Sequence, residues 1–207
     1  MPAPPRLYAI ADGDFLGLEA VAAAVAELAE AGFAWIQLRL KKAPDAERWR
    51  LAEACSRRLE GGSASLWIDD RVDLALLLPF FGVHLGQSDL PAGSVRGLLG
   101  AGKAVGVSTH DEEQCRAADA DLAVDVVAAG PVFSTSSKEN ADRPLGLAGL
   151  RRLRGLTRKP LVAIGGIDES RLVSVLETGA DTAVLLSALG RGREIGVKAR
   201  RLLRLAA

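Results

Sequence analysis

Short apolar runs rich in β-branched residues alternate with longer stretches of helical spacing from one end of the chain to the other. The runs predict strands over Leu7–Ala11, Trp35–Arg39, Ser65–Ile68, Gly82–Leu85, Ala104–Ser108, Val124–Ala129, Leu161–Ile164 and Thr182–Leu186. Helices are predicted between them over Leu18–Ala31, Ala46–Leu59, Val72–Leu77, Ser94–Leu99, Glu112–Ala118, Leu147–Leu156 and Glu169–Glu177, and after the last strand over Glu194–Leu205. Asp111 and Asp168 stand where N-caps belong, and Gly179 follows a helix as a stop signal. Neighbouring parallel strands need a crossover between them, so strict alternation predicts an α/β fold with a parallel sheet. Eight such units favour a closed (β/α)8 TIM barrel over an open sheet. No linker, low-complexity tract or charge block divides the chain, so residues 1–207 are expected to form a single TIM-barrel domain.

Composition narrows the function classes. The chain is 49% hydrophobic and 25% charged, which is globular rather than disordered. Lys+Arg and Asp+Glu both total 26, so net charge points to no nucleic acid and no membrane surface. Anion binding therefore has to come from a local cluster. Cys55 and Cys115 sit in helical stretches without metal-ligand neighbours, and read as structural thiols of a reducing, cytoplasmic compartment. The apolar run Leu74 to Val83 is interrupted by Pro79 and too short to cross a bilayer. The N-terminus runs straight into a strand, so no signal peptide is expected.

In a barrel of this kind the C-terminal strand ends surround the active-site mouth. Polar residues gather there: Arg39 and Lys41, Asp69 to Arg71, Gln87 and Asp89, Ser108, the Ser134–Lys138 loop, Gly165–Gly166 and Ser187. Gln37, Arg39 and Lys41 have period two and share one strand face, while Ile36, Leu38 and Leu40 point toward the helices. Two cations and an amide on one face suit a polyanion such as pyrophosphate, or else an ion-pair network with strand-end carboxylates. Carboxylates at the ends of strands three and four suit Mg²⁺, although Asp70 also precedes a helix and fits a cap. Glycines after strand seven, with Leu186 and Ser187 after strand eight, fit a backbone phosphate cup. The Ser134–Lys138 stretch offers hydroxyls and a cation, or reads as a solvated loop. His84 lies inside a strand and reads as packed; His110, just beyond one, fits either a helix entry or a site residue.

Taken in order, these segments resemble the thiamine-phosphate synthase family. The resemblance runs from Leu7 to about Leu189. It is carried by Leu7–Asp12, Ile36–Lys41, Ile68–Asp73, Gly82–Asp89, Gly106–His110, Gly130–Phe133, Thr135–Lys138, Pro144–Gly146 and Ala163–Ile167. It implies a Mg²⁺-dependent transferase that joins hydroxymethylpyrimidine pyrophosphate to thiazole phosphate and releases pyrophosphate. It further implies that Asp70 and Asp89 bind Mg²⁺, that Gln37, Arg39, Lys41 and Lys138 hold the pyrimidine pyrophosphate, and that Ser108 lies nearby. Thr135, Ser137, Gly166, Leu186 and Ser187 would receive the thiazole phosphate, and Arg39 and Lys138 would stabilise the leaving group. Both partners are small phosphorylated substrates, and a homo-oligomer is left open. The chain departs from the family pattern at Leu40, where Glu is usual, and at Asp69, where Asn is usual. The loop Ser134–Lys138 also has Ser137 in place of Thr. An Asp at 69 adds a negative charge beside the proposed metal ligands and the pyrimidine pyrophosphate. A thiazole tautomerase-like relative using His110 as a base, or a phosphate-ligand binder without catalysis, are the rival readings.

Overall fold

A computed structural model describes residues 3–135 and 142–207. Eight parallel strands close into a barrel in chain order: β1 Leu7–Asp12, β2 Trp35–Arg39, β3 Ser65–Asp69, β4 Gly82–Leu85, β5 Ala104–Thr109, β6 Val126–Ala129, β7 Leu161–Ala163 and β8 Thr182–Leu185. Closure is made by β1 against β8, with Leu7, Tyr8 and Ala9 opposite Ala183, Val184 and Leu185. Around the barrel run α1 Gly13–Leu16, α2 Leu18–Ala31, α3 Asp45–Leu59, α4 Val72–Leu77, α5 Ala92–Leu99, α6 Glu112–Ala120, α7 Gly146–Arg154, α8 Glu169–Leu176 and α9 Ile195–Ala206. Short 3₁₀ turns at Ser187–Leu189 and Gly192–Glu194 separate β8 from α9. Among the described residues no helix is long and apolar enough to cross a membrane.

Period two along the strands creates two separate cores. The outward set, including Ile36, Leu38 and Leu40 of the β2 segment, is buried with helix residues such as Val21, Val25 and Leu28. These α2 positions recur at helical spacing, which is why that stretch forms a helix with one apolar face. Gly32 ends it in the left-handed conformation, at φ 109°. Asp111 and Asp168 cap α6 and α8 through side-chain oxygens that accept from Gln114 N and Arg171 N, as their positions in the sequence predict.

The inward set forms a second cluster around Tyr8, Trp35 and Trp67, with Phe81 packed against it. Ring centroids of Trp35 and Trp67 are 5.0 Å apart, and those of Trp67 and Phe81 5.3 Å. So much ring volume on β1 to β3 needs small residues opposite, and Gly82, Ala104 and Gly106 supply the space. The aromatics thus plug the N-terminal half of the barrel and leave its C-terminal half for polar side chains.

The closed face is held by two equivalent clamps. Asp125, just before β6, accepts from Val105 N at 2.8 Å and pairs with Arg96. Asp181, just before β8, accepts from Leu161 N at 2.7 Å and pairs with Arg154. Lys103 and Lys159 donate to backbone carbonyls, at Leu78 and Phe80 and at Ala118 and Asp121 respectively. Use of Asp125 as a clamp explains why β6 starts at Val126, two residues later than the apolar run predicts.

The aromatic plug makes β4 intolerant of bulk. A methyl on Gly82 would lie 2.5 Å from the Ala104 carbonyl oxygen and 2.9 Å from the Trp67 ring. Gly82→Ala is therefore expected to destabilise the fold by about 1–3 kcal/mol. Gly97→Ala, in α5 with open space around it, should stabilise by about 0.5–1 kcal/mol. Denaturant unfolding of the two variants reads the difference, and equal stabilities would show that the interior has slack.

Candidate active site

The C-terminal strand ends open into a cavity of about 610 Å³. Gln37, Arg39, Lys41, Asp69, Asp70, Asp89, Ser108, Thr135, Gly166, Leu186 and Ser187 all line it. Ser137 and Lys138 lie outside the described residues. Side chains that alternate along eight strands thus converge from positions far apart in the chain.

One end of the cavity is an ion network. Arg39 pairs through Nη1 with the buried Asp12 and through Nε, at 3.4 Å, with Asp69. Lys41 lies 3.4 Å from Asp69 and pairs directly with Asp70. Burial pulls the Lys41 ammonium down, but the Asp69 and Asp70 carboxylates outweigh it and hold it above its ordinary value. Burial raises the Asp69 carboxyl, opposed by Lys41 and Arg39. Asp70 is also raised, first by burial and then by the Asp69 charge. Asp69 Oδ2 is buried, and among the described residues it makes no hydrogen bond beyond these long ion contacts. Arg71, the other cation near it in sequence, turns away to Asp45 and Asp73.

Among the described residues, the carboxylates of Asp12, Asp69, Asp70 and Asp89 thus gather around Arg39 and Lys41. Asp70 does not cap α4, as its place before that helix allows. The N-cap is Arg71, without a side-chain bond, and Asp70 takes the left-handed conformation at φ 60°. That conformation is tolerable for Asp, and its N–H donates to His84 O. Asp89 Oδ2 accepts from Gly86 N at 2.7 Å, which holds the turn after β4. Carboxylate oxygen fits a hard divalent cation. Among the described residues no three His, Cys, Asp or Glu side chains group into a metal cage.

The floor is mixed. Gln37 Nε2 donates to Tyr8 Oη at 3.1 Å, and both are buried. His84, which reads as packed from its place in a strand, instead turns its ring into the cavity and meets Ser108 Oγ at 2.9 Å. Burial lowers its pKa to about 4, so the imidazole is neutral at pH 7. Gly106 makes room for that ring, since a methyl there would lie 2.8 Å from Nδ1. Ile10, Val162, Ile164, Val184 and Leu186 complete an apolar wall. His110 sits at the rim with Nδ1 2.5 Å from Gly130 O and Nε2 3.4 Å from Asp142 Oδ2.

The opposite end is built from backbone. Gly165 and Gly166 have φ of 104° and 63°, and methyls there would strike Pro131 and Ser134 O at 2.6 Å. Among the described residues, the N–H groups of Gly166 and Ser187 donate to no protein acceptor. Ser187 opens the 3₁₀ turn Ser187–Leu189. The loops after strands seven and eight with a short extra helix are a recurrent phosphate site in barrels.

Tyr8 and Gln114 line the cavity and Asp12 pairs with Arg39, though none of the three is among the site residues expected from sequence. Asp12 had a local signal: an acidic residue at the end of an apolar strand, one position beyond the predicted boundary. Tyr8 had none, because an aromatic at a strand position reads as core.

A model of the family described as thiamine monophosphate synthase matches residues 7–189. The thiamine-phosphate synthase of Koribacter versatilis is 42% identical over 189 residues, 89% of each chain. That of Syntrophomonas wolfei is 38% identical over 196 residues, 95% of this chain and 93% of its own. Among solved structures, thiamine phosphate pyrophosphorylase from Pyrococcus furiosus is 30% identical, with a TM-score of 0.85 over 97% of this chain and 95% of its own. With its barrel, its cavity and these relatives in agreement, the chain belongs to the thiamine monophosphate synthase family of transferases.

Proposed function

We propose that this cavity binds a hydroxymethylpyrimidine pyrophosphate and a thiazole phosphate together and joins them, releasing pyrophosphate. The observation that carries the reading is the cavity's polarity: an ion network at one end, free backbone N–H groups at the other, and an apolar wall between. A reaction between two anionic substrates needs two separate anion sites with a dry space where the rings meet.

Arg39, Lys41 and Lys138 hold the pyrophosphate of the pyrimidine substrate, with Gln37, Asp69 and Ser108 around its ring and linker. As the carbon–oxygen bond breaks, negative charge grows on the departing pyrophosphate, and Arg39 and Lys138 stabilise it. The methylene carbon becomes electron-poor, and the thiazole nitrogen supplies the electron pair for the new carbon–nitrogen bond. Thr135, Ser137, Gly166, Leu186 and Ser187 fix the thiazole phosphate so that this nitrogen faces the methylene. Asp70 and Asp89 would hold Mg²⁺, which would supply positive charge to the departing pyrophosphate when bound. The carboxylates of Asp69, Asp70 and Asp89 beside Arg39 and Lys41 support this reading, because added positive charge would offset their repulsion of a pyrophosphate. The two carboxylates in the cavity favour this reading over a tautomerase. Purified protein mixed with Mg²⁺ and both substrates should yield thiamine phosphate, and no product under any metal supplement would overturn the assignment.

Asp89→Asn keeps an acceptor for the Gly86 N–H while removing the charge. It is expected to lower Mg²⁺-supported turnover roughly 100-fold with an unchanged melting temperature. Normal turnover across a Mg²⁺ titration would remove Asp89 from the metal site.

Asp69 competes with pyrophosphate for the same two cations. Asp69→Asn should lower the KM for the pyrimidine pyrophosphate and raise the Mg²⁺ concentration needed for half-maximal rate. Steady-state kinetics at several Mg²⁺ concentrations test this, and constants that both stay put would mean that Arg39 and Lys41 fully cancel the charge.

A further inference from the structure

Arg171 lies on α8 and does not line the cavity, yet it touches Gly166, which does, and Phe133, two residues before the cavity-lining Thr135. Its Nη1 donates to Gly166 O at 2.7 Å. Its guanidinium also lies over the Phe133 ring, 4.6 Å from the centroid. Phe133 opens the segment that leads to Thr135, and its own N–H donates to Gly165 O at 3.0 Å. The fit between the two segments is tight, since a methyl on Gly166 would lie 2.9 Å from Phe133 Cβ.

In a trans peptide the N–H points opposite to the carbonyl. Turning the Gly166 carbonyl outward to Arg171 therefore turns the Ile167 N–H inward, and Ile167 borders the cavity. We propose that Arg171 is a positioning residue for the phosphate end. It locks the Gly166–Ile167 peptide and the Phe133 ring together, and so sets the distance between the backbone donors and the Thr135 side chain. Arginine suits this task because one planar group can stack on a ring and donate in its own plane at once, which an ammonium cannot. Its contact with Asp168, at 3.7 Å, ties the same guanidinium to the N-cap of α8.

The proposal rests on the reading that the thiazole phosphate sits at Gly166 and Ser187. Steady-state kinetics with each substrate varied in turn test it on Arg171→Lys, which keeps the charge, and on Gly166→Ala, which alters the cup directly. In Arg171→Lys the KM for thiazole phosphate should rise about tenfold while kcat and the other KM stay within about twofold. Phe133→Leu removes the ring under the guanidinium and should reproduce the same split, which guards against a folding defect in the first variant. If Gly166→Ala raises the thiazole phosphate KM but Arg171→Lys and Phe133→Leu do not, the proposal fails and the phosphate placement stands. If Gly166→Ala also leaves that KM unchanged, the placement fails and takes the proposal with it. Equal rises in both KM values in Arg171→Lys would mark a general structural role and overturn the proposal.

Discussion

The open end of the barrel depends on the guanidinium of Arg39 being held between Asp12 and Asp69. A buried cation without carboxylates would be too costly to keep, and buried carboxylates without it would be equally so. Asp12 has a second task, because its other oxygen accepts from the N–H groups of Asp14 and Phe15 and starts α1. One side chain thus joins the first strand, the first helix and the cation proposed to meet the leaving group. Removing a partner from this network would leave a buried charge, so the network resists collapse when substrate is absent.

This polar end is possible only because the other end is full. Tyr8, Trp35 and Trp67 fill the N-terminal half of the interior, matched by glycine and alanine on β4 and β5. Below them the Arg96–Asp125 and Arg154–Asp181 clamps close the loops. Gln37 sits at the boundary, donating to Tyr8 beneath while bordering the cavity above. Stability and chemistry are segregated along the barrel axis, so that the charged end is supported by a rigid apolar base.

Much of this was legible in the chain. Alternation of two periodicities places every strand within a few residues, since each strand buries one face in a helical layer and one in the barrel. The period-two set Gln37, Arg39 and Lys41 points inward, and Leu40 is buried on the outer side as its phase requires. What stayed hidden depends on partners distant in sequence. That His84 meets Ser108 rather than core, and that Asp70 turns to Lys41 rather than capping α4, are consequences of strand adjacency, as is the choice of Asp12 and Asp69 as the carboxylates that pair with Arg39. The short helix α1 was missed because its four residues carry no period, and the Asp12 cap alone announces it. The dual role of Arg171 was equally silent, since an arginine in the first turn of a helix reads as a solvated face.

On the proposed reading, the carboxylates at the strand-three and strand-four ends make pyrophosphate binding conditional on a divalent cation. Calorimetric titration of the protein with inorganic pyrophosphate, with and without Mg²⁺, tests this most directly. Binding should be seen only with Mg²⁺ and should vanish when a chelator is added. Equal affinity in the two conditions would contradict it, because the site's own cations, Arg39, Lys41 and Lys138, would then suffice for the polyanion.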